Sequence, residues 1–284
     1  MSFLEGSKEM AIQMKLGSSD WNLWSLTRDY DKLFEILKSL NITNVELGIY
    51  QPSVELTADK REQILHTARK HAVTVTALLF SLTPDYWIDG AFSNVSSDFL
   101  HEAAFFLDAA QAMQVQNANI WTGVDYLGCD ESEVKLSIAS LDALGNTFDG
   151  IISIEYKAET IFATGAVMAS FLSSTKNLKV LIDTGHAFAL EEDVVGLIET
   201  FNERGLLGAM HLGDALAGES DADLPCGRVH DFTPILRKLK EVDFGYSLNF
   251  DLYGAAMDEN GPGAIAILTE SKTYIDRLRA GMDS

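Results

Sequence analysis

KVLIDTGHA, residues 179–187, decides the fold: an apolar run closes on Asp183, and Thr184–Gly185 turns the chain before His186. Four further runs have the same design. TNVELG (43–48) carries Glu46, ISIEYKA (152–158) carries Glu155, GAMHLGD (208–214) carries His211, and YSLNFDL (246–252) carries Asn249 and Asp251. A buried strand that ends in a carboxylate or an imidazole is costly unless those groups share a partner. The last four runs are evenly spaced with a helical stretch between each pair, so neighbouring strands aim polar ends at one point.

Working outward gives eight strand–helix units. The strands are MKLGSS (14–19), TNVELG, VTVTALLF (73–80), NANIWTG (117–123), IISIEY (151–156), KVLIDTG, LGAMHLG (207–213) and GYSLNFDL (245–252). The first helix is expected from about Asp29 to Leu40, with Leu33, Ile36, Leu37 and Leu40 on one face, and the second from a Thr57 cap through Ala68. Later helices are expected over 96–113, from near Glu131, from Glu159 to Ser173, through Val194–Ile198, over 232–240 and over 263–279. The runs are continuously apolar, as parallel strands covered on both faces are. An open doubly wound sheet announces a Gly-rich phosphate turn after its first strand, and GSSDWNLW (17–24) is not one. The reading is a single α/β (β/α)8 TIM barrel over residues 14–284, preceded by a flexible leader, 1–13.

Composition narrows the function. The chain has 284 residues, 47% of them hydrophobic, enough for one large core. No apolar stretch is long enough to cross a bilayer, so no membrane partner is expected. A net charge of −21 repels phosphate backbones, which argues against nucleic acid. Cys129 and Cys226 lack metal or redox spacing and read as free thiols in a reducing cytoplasm.

In a barrel of this kind chemistry sits at the carboxyl ends of the strands. Glu155, Asp183 and His211 offer two carboxylates and an imidazole, a donor set suited to a hard divalent ion. Each also has a plain structural reading: Asp183 as a turn cap, His211 as a satisfied core histidine. Glu155 is harder to place without a partner, since glutamate is seldom fully buried alone. Alternation puts Ser153 with Glu155 on one face, and Ser247, Asn249 and Asp251 on another. Trp21, Trp24, Phe80 and Trp121 at strand ends suit either a sugar-binding wall or a cap on the core. Arg228, a rare cation, is either a substrate clamp or a solvated loop residue. Glu46 reads as a substrate acceptor or a support for the ligands, and Asp214 as a residue that orients its neighbours.

The motifs VELG, IEYKA, LIDTGHA, MHLGD and PCGRVHDFTPILRKLKEVDFGYSLNF resemble the xylose isomerase-like barrel superfamily of sugar isomerases and epimerases, over nearly the whole chain. The resemblance implies one divalent ion held by Glu155, Asp183, His211 and an eighth-strand residue. Mn²⁺ is the expected ion, with Mg²⁺, Co²⁺ or Zn²⁺ as alternatives. It also implies a substrate-contacting role for His186, and homo-oligomers are common in the family. The family's eighth-strand glutamate is Asn249 here, with Asp251 two residues on as the substitute carboxylate. The implied activity is isomerisation or epimerisation of a small keto-sugar or polyol by enediolate proton transfer, with Glu155 as base and Asp251 or His186 returning the proton. The altered eighth strand keeps two alternatives open: a dehydratase or lyase on a keto-sugar or keto-inositol, and a non-catalytic sugar-binding barrel. A three-zinc DNA-repair endonuclease would need histidines where Phe80 and Trp121 stand, and an Asp-x-His after the seventh strand that this chain lacks.

Overall fold

The computed structural model describes residues 14–82, 97–122, 131–158, 160–259 and 261–282. Eight parallel strands close into a barrel in sequence order: β1 (Lys15–Ser19), β2 (Asn44–Ile49), β3 (Thr74–Ser81), β4 (Asn117–Trp121), β5 (Ile151–Glu155), β6 (Leu178–Asp183), β7 (Leu207–Leu212) and β8 (Ser247–Phe250). The helices are α1 (Tyr30–Ser39), α2 (Pro52–Glu55), α3 (Ala58–His71), α4 (Ser97–Met113), α5 (Glu131–Leu144), α6 (Gly165–Leu172), α7 (Thr184–Ala189), α8 (Val194–Glu203), α9 (Thr233–Glu241), α10 (Tyr253–Met257) and α11 (Ala264–Met282). β1 pairs with both β2 and β8, so the sheet has no open edge. The eight expected units are all present. The leader and Cys129 lie outside the described residues, while Cys226 is a buried free thiol.

Local chemistry sets the helix ends. Asp29 Oδ1 accepts from the backbone N–H of Asp31 and Lys32 at 2.9 and 3.2 Å, satisfying two of the orphan donors of α1. α1 buries Leu33, Phe34 and Leu37 against the barrel. Thr57 does stand at the N-cap of α3, but its side chain makes no capping hydrogen bond, which corrects the expected cap. The helix expected from Glu159 starts at Gly165. Thr160 stabilises a turn instead, its hydroxyl donating to Lys157 O at 2.8 Å and accepting from Phe162 N at 3.1 Å. Thr164 then caps α6 by accepting from Val167 N.

The two faces of each strand have different tasks. Phe80, Ile120, Ile154 and Ile182 belong to the apolar layer between sheet and helices. Their neighbours Leu79, Ser81, Trp121 and Glu155 line a cavity at the carboxyl end of the barrel. Below that cavity the lumen is polar: Asn117, Asn119, Ser153, Ser247 and Asn249 are all buried. Glycine makes room for them. A Cβ on Gly17 would lie 2.3 Å from Asn249 Oδ1, and one on Gly208 would lie 2.4 Å from Ser153 Oγ. Among the described residues no helix is long and apolar enough to cross a membrane.

Gly17→Ala is expected to destabilise the fold by about 1–3 kcal/mol, because the new methyl group meets Asn249 Oδ1 and the Asn44 carbonyl inside a packed lumen. Urea unfolding of the variant beside the wild type measures this directly.

Candidate functional site

Register brings the polar strand ends together. Asp183 pairs with His211 across β6 and β7, His211 with Asn249 across β7 and β8, and Trp121 with Glu155 across β4 and β5. Because the strands are parallel, residues of like height point into the lumen side by side.

His211 is fully buried, and its two nitrogens face different environments. Nε2 lies 2.8 Å from Glu46 Oε2. Nδ1 lies 3.3 Å from Asp251 Oδ2 and 3.7 Å from Asp183 Oδ2, within ion-pair reach of both carboxylates. Glu46 is itself fully buried and accepts from Asn119 Nδ2 at 2.7 Å and from Asn249 Nδ2 at 2.8 Å. Burial alone would lower the His211 pKa, but Glu46, Asp251 and their hydrogen bonds raise it well above the usual histidine range.

Asp183 caps α7, with Oδ1 accepting from His186 N at 2.9 Å, while Oδ2 faces His211. The turn-cap reading and the ligand reading therefore describe different oxygens of one carboxylate. The cap also delivers His186, whose Nδ1 lies 3.0 Å from Ser220 O and whose Nε2 lies 3.1 Å from Glu155 Oε1. A carbonyl can only accept, so Nδ1 carries a proton and Nε2 faces the carboxylate. Burial pushes the Glu155 carboxyl above its ordinary value despite the nearby imidazoles. For His186 burial acts downward, but the Asp183 and Glu155 carboxylates prevail and place it at about 9. Among the described residues two groups of potential metal ligands result, Glu155–Asp183–His186 and Asp183–His211–Asp251, with Asp183 in both.

Asp251 follows β8 directly. Its Oδ1 accepts from Trp21 Nε1 at 2.7 Å and its Oδ2 faces His211. Burial opposes ionisation there, yet His211 and Trp21 hold the carboxyl below its usual range. Asn249 is level with His211 in register. Its amide nitrogen donates to Glu46, and its buried Oδ1 lies where a Cβ on Gly17 would be.

The cavity above has a volume of about 220 Å³. Trp21, Trp24, Tyr50, Trp121 and Tyr253 form aromatic walls around Glu155, His186 and Asp251. Two expected substrate contacts lie elsewhere. Phe80 points outward and packs on Phe99 and Phe106 at ring separations of 6.1 and 5.4 Å, because alternation gives the cavity to Leu79 and Ser81. Arg228 forms a bidentate pair with Glu270 on the surface, at 2.5 and 2.7 Å, and does not line the cavity. Glu46 is likewise not among the cavity-lining residues, since it lies beneath His211. Asp214 orders the following loop, accepting from Val229 N, His230 N and the His230 ring.

Sequence reasoning missed Asn119, Lys157, Asp221, Asp223 and Asp20. Asn119 was legible, since a polar residue at mid-strand in NANIW needs a buried partner. The loop residues gave no such signal. Asp223 lines the cavity and accepts from Gly254 N at 2.8 Å. Burial, then the Asp251 and Asp183 carboxylates, raise it to about 8. Asp20 lies behind the Trp21–Trp24 wall, buried and accepting from Gly48 N at 3.0 Å, and burial raises it to about 7.

The sequence matches the family described as xylose isomerase-like TIM barrel over residues 34–266. No curated protein sequence matches the chain. Among solved structures, the 3-keto-D-glucoside 4-epimerase YcjR from E. coli superposes with a TM-score of 0.72 at 14% identity, covering 94% of this chain and 100% of that one. The D-psicose 3-epimerase from Clostridium cellulolyticum H10, solved with D-tagatose, gives 0.70 at 18% identity, covering 94% and 99%. The IOLI protein, solved with a zinc atom, gives 0.71 at 15% identity, covering 93% and 98%. At these identities the likeness is one of fold.

Two outcomes follow from this geometry. Glu46→Gln removes one partner of a buried charged pair and is expected to lower unfolding free energy by about 3–5 kcal/mol. NMR titration of the variant should also show His211 losing its proton at lower pH. For Asp20, the unfolded carboxyl titrates near 3.8 while the folded one keeps its proton to about 7. Stability drawn from Asp20 is therefore full below pH 4 and falls as pH rises towards 7. Asp20→Asn keeps an acceptor for Gly48 and is expected to gain in melting temperature on the wild type between pH 5 and 7.5.

Proposed function

We propose that this chain, which belongs to the xylose isomerase-like TIM barrel family, is a divalent-metal-dependent isomerase or epimerase of a small, unphosphorylated keto-sugar or polyol. The observation that carries this reading is the buried Nδ1 of His211 set between the Asp183 and Asp251 carboxylates, at 3.7 and 3.3 Å. A buried nitrogen held between two acceptor groups, with its other nitrogen fixed by a carboxylate, is the arrangement of a metal-binding imidazole. The donor set fits a divalent ion, with Asp183, His211 and Asp251 as holders and Glu155 beside them. Mn²⁺ is the proposed ion, with Mg²⁺, Co²⁺ and Zn²⁺ as alternatives; the zinc in the IOLI structure supports the general class.

A bound divalent ion would acidify the carbon between a carbonyl and a hydroxyl and stabilise the charge that develops when that carbon loses its proton. The protein's own groups perform the transfer. Glu155 takes the proton, since burial has already raised its affinity for one. His186 shares that proton across the 3.1 Å contact at Nε2 and can return it, while the Ser220 carbonyl fixes the ring's orientation. Asp251, held as a carboxylate by Trp21 and His211, is suited to ligation more than to proton carriage. The aromatic walls cover the apolar faces of a sugar ring and restrict water. The epimerase names of the similar structures support the keto-sugar assignment.

The deciding experiment is proton exchange into ketohexoses in D₂O with Mn²⁺-loaded protein. Glu155→Gln is expected to reduce exchange by at least about 10³-fold with the fold intact. Asp251→Ala is expected to weaken metal affinity by about 10- to 100-fold in a thermal-shift titration. Full exchange in Glu155→Gln would remove that residue from the mechanism, and undiminished affinity in Asp251→Ala would remove it from the metal site.

A further inference from the structure

Lys157 is buried at 6% exposure, in a protein where acidic residues outnumber basic ones two to one. Lysine is rarely buried so deeply without a specific partner. Its partner is Asp221, whose side chain is 78% exposed and reaches in from the loop after β7. Among the described residues Lys157 is the one Lys or Arg lining the cavity. Its ammonium lies 5.7 Å from the centre of the Trp121 ring, which forms the adjoining wall.

The loop that supplies Asp221 is firmly held. Asp214 and Leu224 exchange backbone hydrogen bonds of 2.8 and 2.7 Å at its base. The Ser220 carbonyl meets His186 Nδ1, and Asp223 accepts from Gly254 N. The pair is therefore a fixed feature of the wall.

We propose that Lys157 and Asp221, backed by Trp121, read two neighbouring hydroxyl groups of the substrate and so set its specificity. An ammonium has three N–H donors, of which Asp221 takes one, and the carboxylate keeps lone pairs to spare. The pair thus presents a donor and an acceptor side by side at the cavity. A vicinal diol needs both, because each hydroxyl donates once and accepts. Trp121 offers a flat apolar face for the C–H groups of the same ring. The pair sets one basic beside one acidic side chain, and Asp223, Asp251 and Glu155 line the same cavity, so the wall does not select for a phosphate or a carboxylate. This assignment rests on the keto-sugar reading above and adds the residues that would distinguish one sugar from another.

The test uses metal-loaded full-length protein, the ketohexose with the fastest D₂O exchange, and its analogues lacking one hydroxyl each. Lys157→Met keeps the bulk of the stem and removes the buried charge; Asp221→Asn alters an exposed residue and keeps an acceptor. Lys157→Met is expected to raise KM on the parent sugar by about 10- to 100-fold while kcat changes less than about 3-fold. On one monodeoxy analogue, already weak for the wild type, the same substitution should add no further loss. Asp221→Asn should show a smaller loss, masked by the same or the adjacent deoxy position. Equal losses on every analogue, or a fall in kcat with KM unchanged, would overturn the assignment. If the wild type exchanges no ketose proton, the catalytic reading fails, and calorimetric titration with D-allulose and myo-inositol decides the diol reading alone. Weaker binding in both variants would support it, and no binding to the wild type would end it.

Discussion

The buried carboxylate of Glu46 is the constraint on which the rest of the site depends. It has no contact with solvent and accepts from three side chains on three other strands: Asn119 of β4, His211 of β7 and Asn249 of β8. A lone carboxylate at that depth would be protonated or expelled. Three donors, the Asn119 and Asn249 amides and the His211 ring, satisfy its oxygens. In return Glu46 fixes the ring of His211 so that Nδ1 faces upward between Asp183 and Asp251. The floor of the lumen is thus the support of the chemistry above it.

This arrangement explains why the barrel interior departs from a branched aliphatic filling. The lumen below the cavity holds Asn117, Asn119, Ser153, Ser247 and Asn249, and glycine at 17 and 208 yields the volume these side chains need. Packing against the helices carries the apolar contribution instead, through Phe80, Ile120, Ile154 and Ile182 and the aromatic rings of α4. Stability and function are separated by strand parity. A residue one position along faces the other medium, which is why Phe80 stabilises the shell while Leu79 and Ser81 line the cavity.

Loops then differentiate the site. The β7–α9 connection orients His186 through Ser220, partners Lys157 through Asp221 and caps the start of α10 through Asp223. Asp214 at its base also anchors the turn around Val229 and His230. One loop therefore sets the orientation of the His186 ring and the polarity of a wall. Strand ends and this loop together line the cavity.

The sequence by itself determined the barrel and the strand-end residues Glu155, Asp183, His186, His211 and Asp251, because eight apolar runs alternating with amphipathic helices allow few closures, and parallel strands put their carboxyl ends on one side. It also carried the parity that groups Asn249 with Asp251. Tertiary structure decided what parity cannot: which group each lumen residue meets. Asn249 hydrogen-bonds Glu46 Oε2, while Asp251, two residues on, faces His211 Nδ1. It also decided partners across the chain, giving Arg228 to Glu270 and Lys157 to Asp221, pairings 42 and 64 residues apart. Local patterns fix which way a side chain points; only the closed barrel brings distant charges together, at the cavity for Lys157 and on the surface for Arg228.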